Sequence, residues 1–137
     1  MLGASDFITI ASVAFGFGAA MLFFRIQREL EMERAGEPRW VPWADSLIVL
    51  ATLSSLLLVL LPLLILGQAA VAVAGAACTA SAVLVAAYIP ALLAHYRLVF
   101  GKGRSGPRNN PEPAEGVIAF GGFVLAVGAF IWKLLTF

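Results

Sequence analysis

The side chains that could carry chemistry in this sequence are few and far apart. Lys133 stands near the end of the last apolar run and closes a face of small residues, so it could project an amine into a cavity. A lysine one turn from a helix end also snorkels to water and complements the negative pole of the helix, which is the expected role. His95, followed by Tyr96 and Arg97, could titrate near neutral pH. No second His, Cys or acidic residue stands at ligand spacing from it, so it reads as an interfacial histidine, and neither a metal site nor a cofactor is predicted. Asp45 and Asp6 could hold a cation or a proton, but each stands at a helix start, where a cap accounts for it. Arg25 reads as a stop at the headgroups. The lone Cys78 lies in an Ala-rich apolar run and offers neither an intrachain disulfide nor a thiolate pair. Nothing here converges into a nucleophile, base and metal, so an enzyme is not expected.

Composition dictates what must hold these residues. The 137-residue chain is 61% hydrophobic and 12% charged, against about a quarter charged in ordinary soluble domains. A net charge of +1 supplies no excess of clustered Lys/Arg to displace counterions, which argues against a nucleic-acid partner. The N-terminal residues lack the basic region of a signal peptide, and Gly3 is one place too late for myristoylation, so the first apolar run is expected to be retained.

The stretch from Ala44 to Phe100 organises the chain. Two apolar runs joined at Gly67-Gln68 predict a membrane hairpin, whose arms must be helices because only helices or closed barrels satisfy the backbone in lipid. Before it, Phe7 to Phe24 spans about 27 Å as a helix. Strong helix formers continue it until Gly36-Glu37-Pro38. Pro62 removes a backbone bond to Leu58 and predicts a kink. Gln68 to Phe100 would make about 50 Å of helix, so the end carrying Tyr88, Pro90, His95 and Tyr96 is expected to kink and emerge through the interface. Val117 to Phe137 forms the last apolar run, with Glu112 and Glu115 placed where negative charge suits a helix start. The predicted fold is an all-α membrane protein: four transmembrane helices in a compact bundle forming a single domain. The helices fall at about residues 7–35, 44–66, 68–100 and 114–137, with loops at about 36–43 and 101–113.

Small residues mark the faces expected to pack. Ala14 and Gly18 lie four apart in the first helix; Ala72, Gly75, Thr79, Ala82 and Ala86 recur at helical spacing in the third; Ala119, Gly122, Ala126 and Ala129 do so in the fourth. Counting in from the loop ends puts Ser54 and Ser55 at the depth of Thr79 and Ser81, where contacts worth on the order of 0.6 kcal/mol could form. Every Lys/Arg except Lys133 lies between Arg25 and Arg39 or between Arg97 and Arg108, so both loops are expected in the cytoplasm and both chain ends, N and C, on the non-cytoplasmic face. The second loop is basic, and Arg97, Lys102, Arg104 and Arg108 should favour anionic lipid by roughly 1 kcal/mol each near the surface.

Two functions follow as expectations. The first is a small integral membrane protein of a bacterial-type inner (plasma) membrane. It acts by helix association in the lipid bilayer, with itself or as an accessory subunit of a membrane complex. The second is an oligomeric pore or channel lined by Thr52, Ser55, Thr79 and Ser81, with Ser54 beside them. Lipid or small-molecule binding beside the kinks at Pro62 or Pro90 is a third, lesser reading.

Overall fold

The computed structural model describes residues 3–36, 42–96, 98 and 112–136. Every regular element among them is helical: α1 (Ala4–Arg34), α2 (Trp43–Ser54), a π-helical turn (Ser55–Leu60), α3 (Leu61–Leu66), a 3₁₀ turn (Gly67–Ala70), α4 (Val71–His95) and α5 (Pro113–Leu135). Three helical stretches, Ala4–Arg34, Trp43–His95 and Pro113–Leu135, are long and apolar enough to cross a membrane.

Local chemistry sets the boundaries. At the start of α1 the Gly3 N–H donates to Asp6 Oδ2 at 2.8 Å, so Asp6 closes the first turn as expected of an acid there. The helix runs to Arg34, and Gly36, with φ +76°, takes the left-handed conformation that ends it. Pro62 stands in the first turn of α3, directly after the π-helical turn. The chain ahead of it widens into the π-helical turn, which relieves the clash between a proline ring and the preceding carbonyls. Pro90, by contrast, is carried inside a continuous α4.

Within Trp43–His95 the chain turns back at Gly67, whose φ of +56° suits a residue without a Cβ. The arms then lie side by side, with Ser54 Oγ 2.8 Å from Ser81 Oγ. Helix α4 is central. One cluster gathers Leu47, Ile48 and Ala51 of α2, Leu84 and Tyr88 of α4, and Ala119 and Ala126 of α5. A second gathers Phe7 and Ala11 of α1, Val59 of the π turn, Leu63 of α3, and Ala74 and Ala77 of α4. Large apolar side chains such as Val13, Phe24, Leu64, Phe120, Leu125 and Trp132 point outward.

Two expectations need correction. Helix α4 is shorter than expected at its C-terminal end. Tyr88 and His95 are buried, and the helix ends at His95, short of residue 100, where the Tyr96 N–H still bonds to Leu92 O. The buried stripe of α4 is also rotated from the predicted one: it runs through Ala74, Ala77, Ser81, Leu84, Tyr88, Ala91 and His95. Of the predicted strip, Gly75 is buried, Ala72 and Thr79 are half-buried, and Ala82 and Ala86 are exposed. Nearly every face of α4 is Ala, Val or Gly, so side-chain size alone does not single out the inward one.

Two glycines set how closely helices approach. A Cβ on Gly18 would overlap Thr52 Oγ1, and one on Gly122 would overlap the Ala87 Cβ. These are the contacts of α1 on α2 and of α5 on α4, and they need a residue without a side chain.

Candidate functional site

The buried faces of α1, α2, α4 and α5 all lead to one end of the bundle, where each delivers an ionisable side chain. On α1 the buried residues are Phe7, Ala11, Gly18 and Arg25. The α4 stripe ends at His95, and α5 buries Glu115, Ala119, Gly122 and Ala126. Helix α2 contributes Asp45 from its first turn.

Arg25 is 7% exposed. Its Nε donates to Asp45 Oδ1 at 3.2 Å and Oδ2 at 3.1 Å, its Nη1 donates to the Tyr96 hydroxyl, and its Nη2 lies 3.5 Å from Glu29 Oε1. A guanidinium taken from water this far costs several kcal/mol unless its donors are engaged by opposite charge. Asp45 is therefore not a cap. Helix α2 has Pro42 at its N-cap with no side-chain cap bond, and the Asp45 carboxylate is turned to α1. The Arg25 side chain likewise lies inside the protein.

Glu115 is fully buried, at 0% exposure. Its Oε1 accepts the Ala44 N–H at 3.0 Å, and its Oε2 lies 2.9 Å from His95 Nδ1. A carboxylate there makes Nδ1–H the donor. The Ala44 amide is one of the first-turn N–H groups that no helical carbonyl can reach. Glu115 thus satisfies the open end of α2 while pinning the end of α4, three helices tied by one carboxylate. His95 is a buried junction residue.

Tyr96 joins the two halves. Its ring lies edge-on to His95 at 5.0 Å and 80°, and the guanidiniums of Arg25 and Arg28 lie over it at 5.9 and 5.2 Å from its centroid. Beneath this junction the Tyr88 hydroxyl is buried without a hydrogen-bond partner.

The remaining predicted residues are placed as follows. Thr52 is buried and donates to Ile48 O on its own helix; Thr79 likewise donates to Gly75 O; Ser54 bonds both to Ser81 and back to Leu50 O. Ser55 is buried without a partner at the π turn. Thr52, Ser55 and Ser81 are buried within this chain. Ala119, Gly122 and Ala126 are buried against α4 and α2, and Ala129 is half-buried. Ala14 and Lys133 are half-buried. Arg97, Lys102, Arg104 and Arg108 lie outside the described residues.

Arg25, Tyr96 and Glu115 were not among the predicted functional residues. A signal for two of them existed in the spacing: Arg25 follows Gly18 by two helical turns on the same face, and Glu115 precedes Ala119 by one. Among the described residues no three His, Cys, Asp or Glu side chains gather as metal ligands. What the junction can do chemically is cross-link four helices through charge-assisted bonds in a medium that excludes water. No protein family, curated protein or solved structure matches this chain.

Proposed function

We propose that this chain is an integral membrane protein whose four spans are α1, the α2–α3 arm, α4 and α5. Both chain ends lie on the non-cytoplasmic face of a bacterial-type plasma membrane, with the residue 36–43 and 101–113 connections in the cytoplasm. It works by helix association, as a homo-oligomer or as an accessory subunit of a membrane complex. The observation that carries this reading is the division of the side chains. Charged groups inside the bundle are engaged by one another, and large apolar groups on every span, from Val13 and Phe24 to Leu125 and Trp132, are turned outward. Such a surface is far too apolar for a monomer in water and suits lipid and neighbouring helices. The positive-inside distribution supports the orientation.

Native mass spectrometry and crosslinking from lipid test the assembly. Oligomers or a stoichiometric membrane partner are expected, and a monomer with no partner overturns the association reading. Cysteine-accessibility labelling tests the orientation separately: a tag at either chain end should be reached from the side opposite Asn109 and Asn110.

A further inference from the structure

Helices α1 and α4 run parallel in a fixed register. Cys78 Sγ lies 3.9 Å from Phe7 O and Arg25 Nη1 bonds Tyr96 Oη, and in both pairs the residues are 71 positions apart. Between these two points the helices leave an apolar groove of about 330 Å³, open to the outside and walled by Val13, Ala14 and Phe17 of α1 and Ala82, Val85 and Ala86 of α4. Above it, on the same two helices, stand Arg28 and Tyr96.

Arg28 is exposed, and no carboxylate among the described residues pairs with it, whereas Arg25 is engaged by both Glu29 and Asp45. Its guanidinium rests on the Tyr96 ring. That ring is itself fixed by the Arg25 bond to its hydroxyl and by the edge of His95. A guanidinium stacked on an aromatic face keeps its N–H fork in plane and directed sideways, the geometry that meets phosphate oxygens in pairs. One turn below, Phe24 faces outward on the same side of α1. Along the helix axis Arg28 stands about 16 Å from Phe17 and about 22 Å from Val13 at 1.5 Å per residue. That is the distance from headgroup to midplane in a bilayer about 40–45 Å thick overall.

We infer that α1 and α4 together hold one phospholipid, its phosphate on Arg28 above the Tyr96 ring and the end of one acyl chain in the groove beside Ala14, Ala82 and Ala86. The inference rests on the membrane-spanning reading. Glu31 and Glu33 on the same helix weaken the general field, so recognition comes from the local fork rather than from net charge.

The test is retention of lipid by the full chain extracted from vesicles of equal phosphatidylglycerol and phosphatidylcholine, read by native mass spectrometry. The unaltered chain should keep one phospholipid, enriched for phosphatidylglycerol. Arg28→Gln should lower retention about tenfold, the worth of one charged hydrogen-bonding contact. Arg28→Lys should fall between. Ala82→Leu, at an exposed position where the fold tolerates a larger side chain, should expel the lipid by filling the groove. Equal retention in Arg28→Gln, or unchanged retention in Ala82→Leu, overturns the inference. Displacement by millimolar inorganic phosphate also overturns it and makes Arg28 a site for free phosphate. A chain that stays in solution without detergent removes the membrane reading itself. A reconstituted chain without Arg28-dependent lipid removes this inference alone.

Discussion

Replacing Glu115 by Ala perturbs the junction at its most connected point. The carboxylate is fully buried and accepts two bonds, one at 3.0 Å from the Ala44 N–H and one at 2.9 Å from His95 Nδ1. Bonds to a charged acceptor contribute about 1.5–3 kcal/mol each, and deleting one member of a buried pair costs about 3–5 kcal/mol because its partner is left desolvated. Glu115→Ala should therefore destabilise the bundle by about 3–5 kcal/mol, a large share of the roughly 5–15 kcal/mol typical of a folded domain. Glu115→Gln keeps an acceptor for the Ala44 amide and an amide facing the imidazole, so it should cost about 1–2 kcal/mol. Reversible unfolding in mixed detergent micelles measures both. A double-mutant cycle with His95→Ala isolates the pair, since coupled neighbours lose less together than the sum of their separate losses. A loss below about 1 kcal/mol for Glu115→Ala, or strict additivity with His95→Ala, would refute the claim that this carboxylate ties three helices together.

The other consequences are smaller and independent. Gly18→Ala and Gly122→Ala each force a Cβ into a neighbour, Thr52 and Ala87 respectively, and should destabilise by about 1–3 kcal/mol in the same assay. Thr52→Ala should rescue the first and Ala87→Gly the second, and failure of both rescues would mean the close approaches are misplaced. Tyr88→Phe removes a buried hydroxyl with no partner and should be neutral or stabilising by about 1 kcal/mol; a loss of that size would show the hydroxyl to be bonded. Ser54→Ala breaks the contact with Ser81 and should cost only about 0.6 kcal/mol, so a larger loss would give that pair a structural weight not expected of it.

The helices were legible because apolar length and helix-stopping residues are local signals. Gly36 and Gly67 end their elements where the sequence places them, and the face of Ala119, Gly122 and Ala126 is buried. The π turn was not legible. Pro62 announces a missing N–H, but the π-helical widening ahead of it forms where Val59 packs against α1 and α4, which a local window does not contain. On α4 the inward face was misread because a helix built of Ala, Val and Gly carries little contrast from side to side. The neighbours choose its orientation: Tyr88 and His95, its largest buried groups, must meet α2 and α5.

The junction went unread for a different reason. Each of its residues has an adequate local explanation, with Arg25 at the end of a span, Asp45 and Glu115 in first turns, and His95 near an interface. Following the small-residue face of α5 only toward Lys133 hid the fact that the same face, traced backward, carries Glu115. The spacing on α1 likewise extends from Gly18 to Arg25. Periodicity tells which side of a helix is turned inward, and an ionisable residue in phase with that side must find a partner across the interface or bear the cost of burial. It does not tell which helix lies across. A charge that can be explained where it stands should therefore first be tested against the phase of its helix; in this chain that test marks Arg25 and Glu115, while His95 is in phase only with the stripe that packing selects on α4.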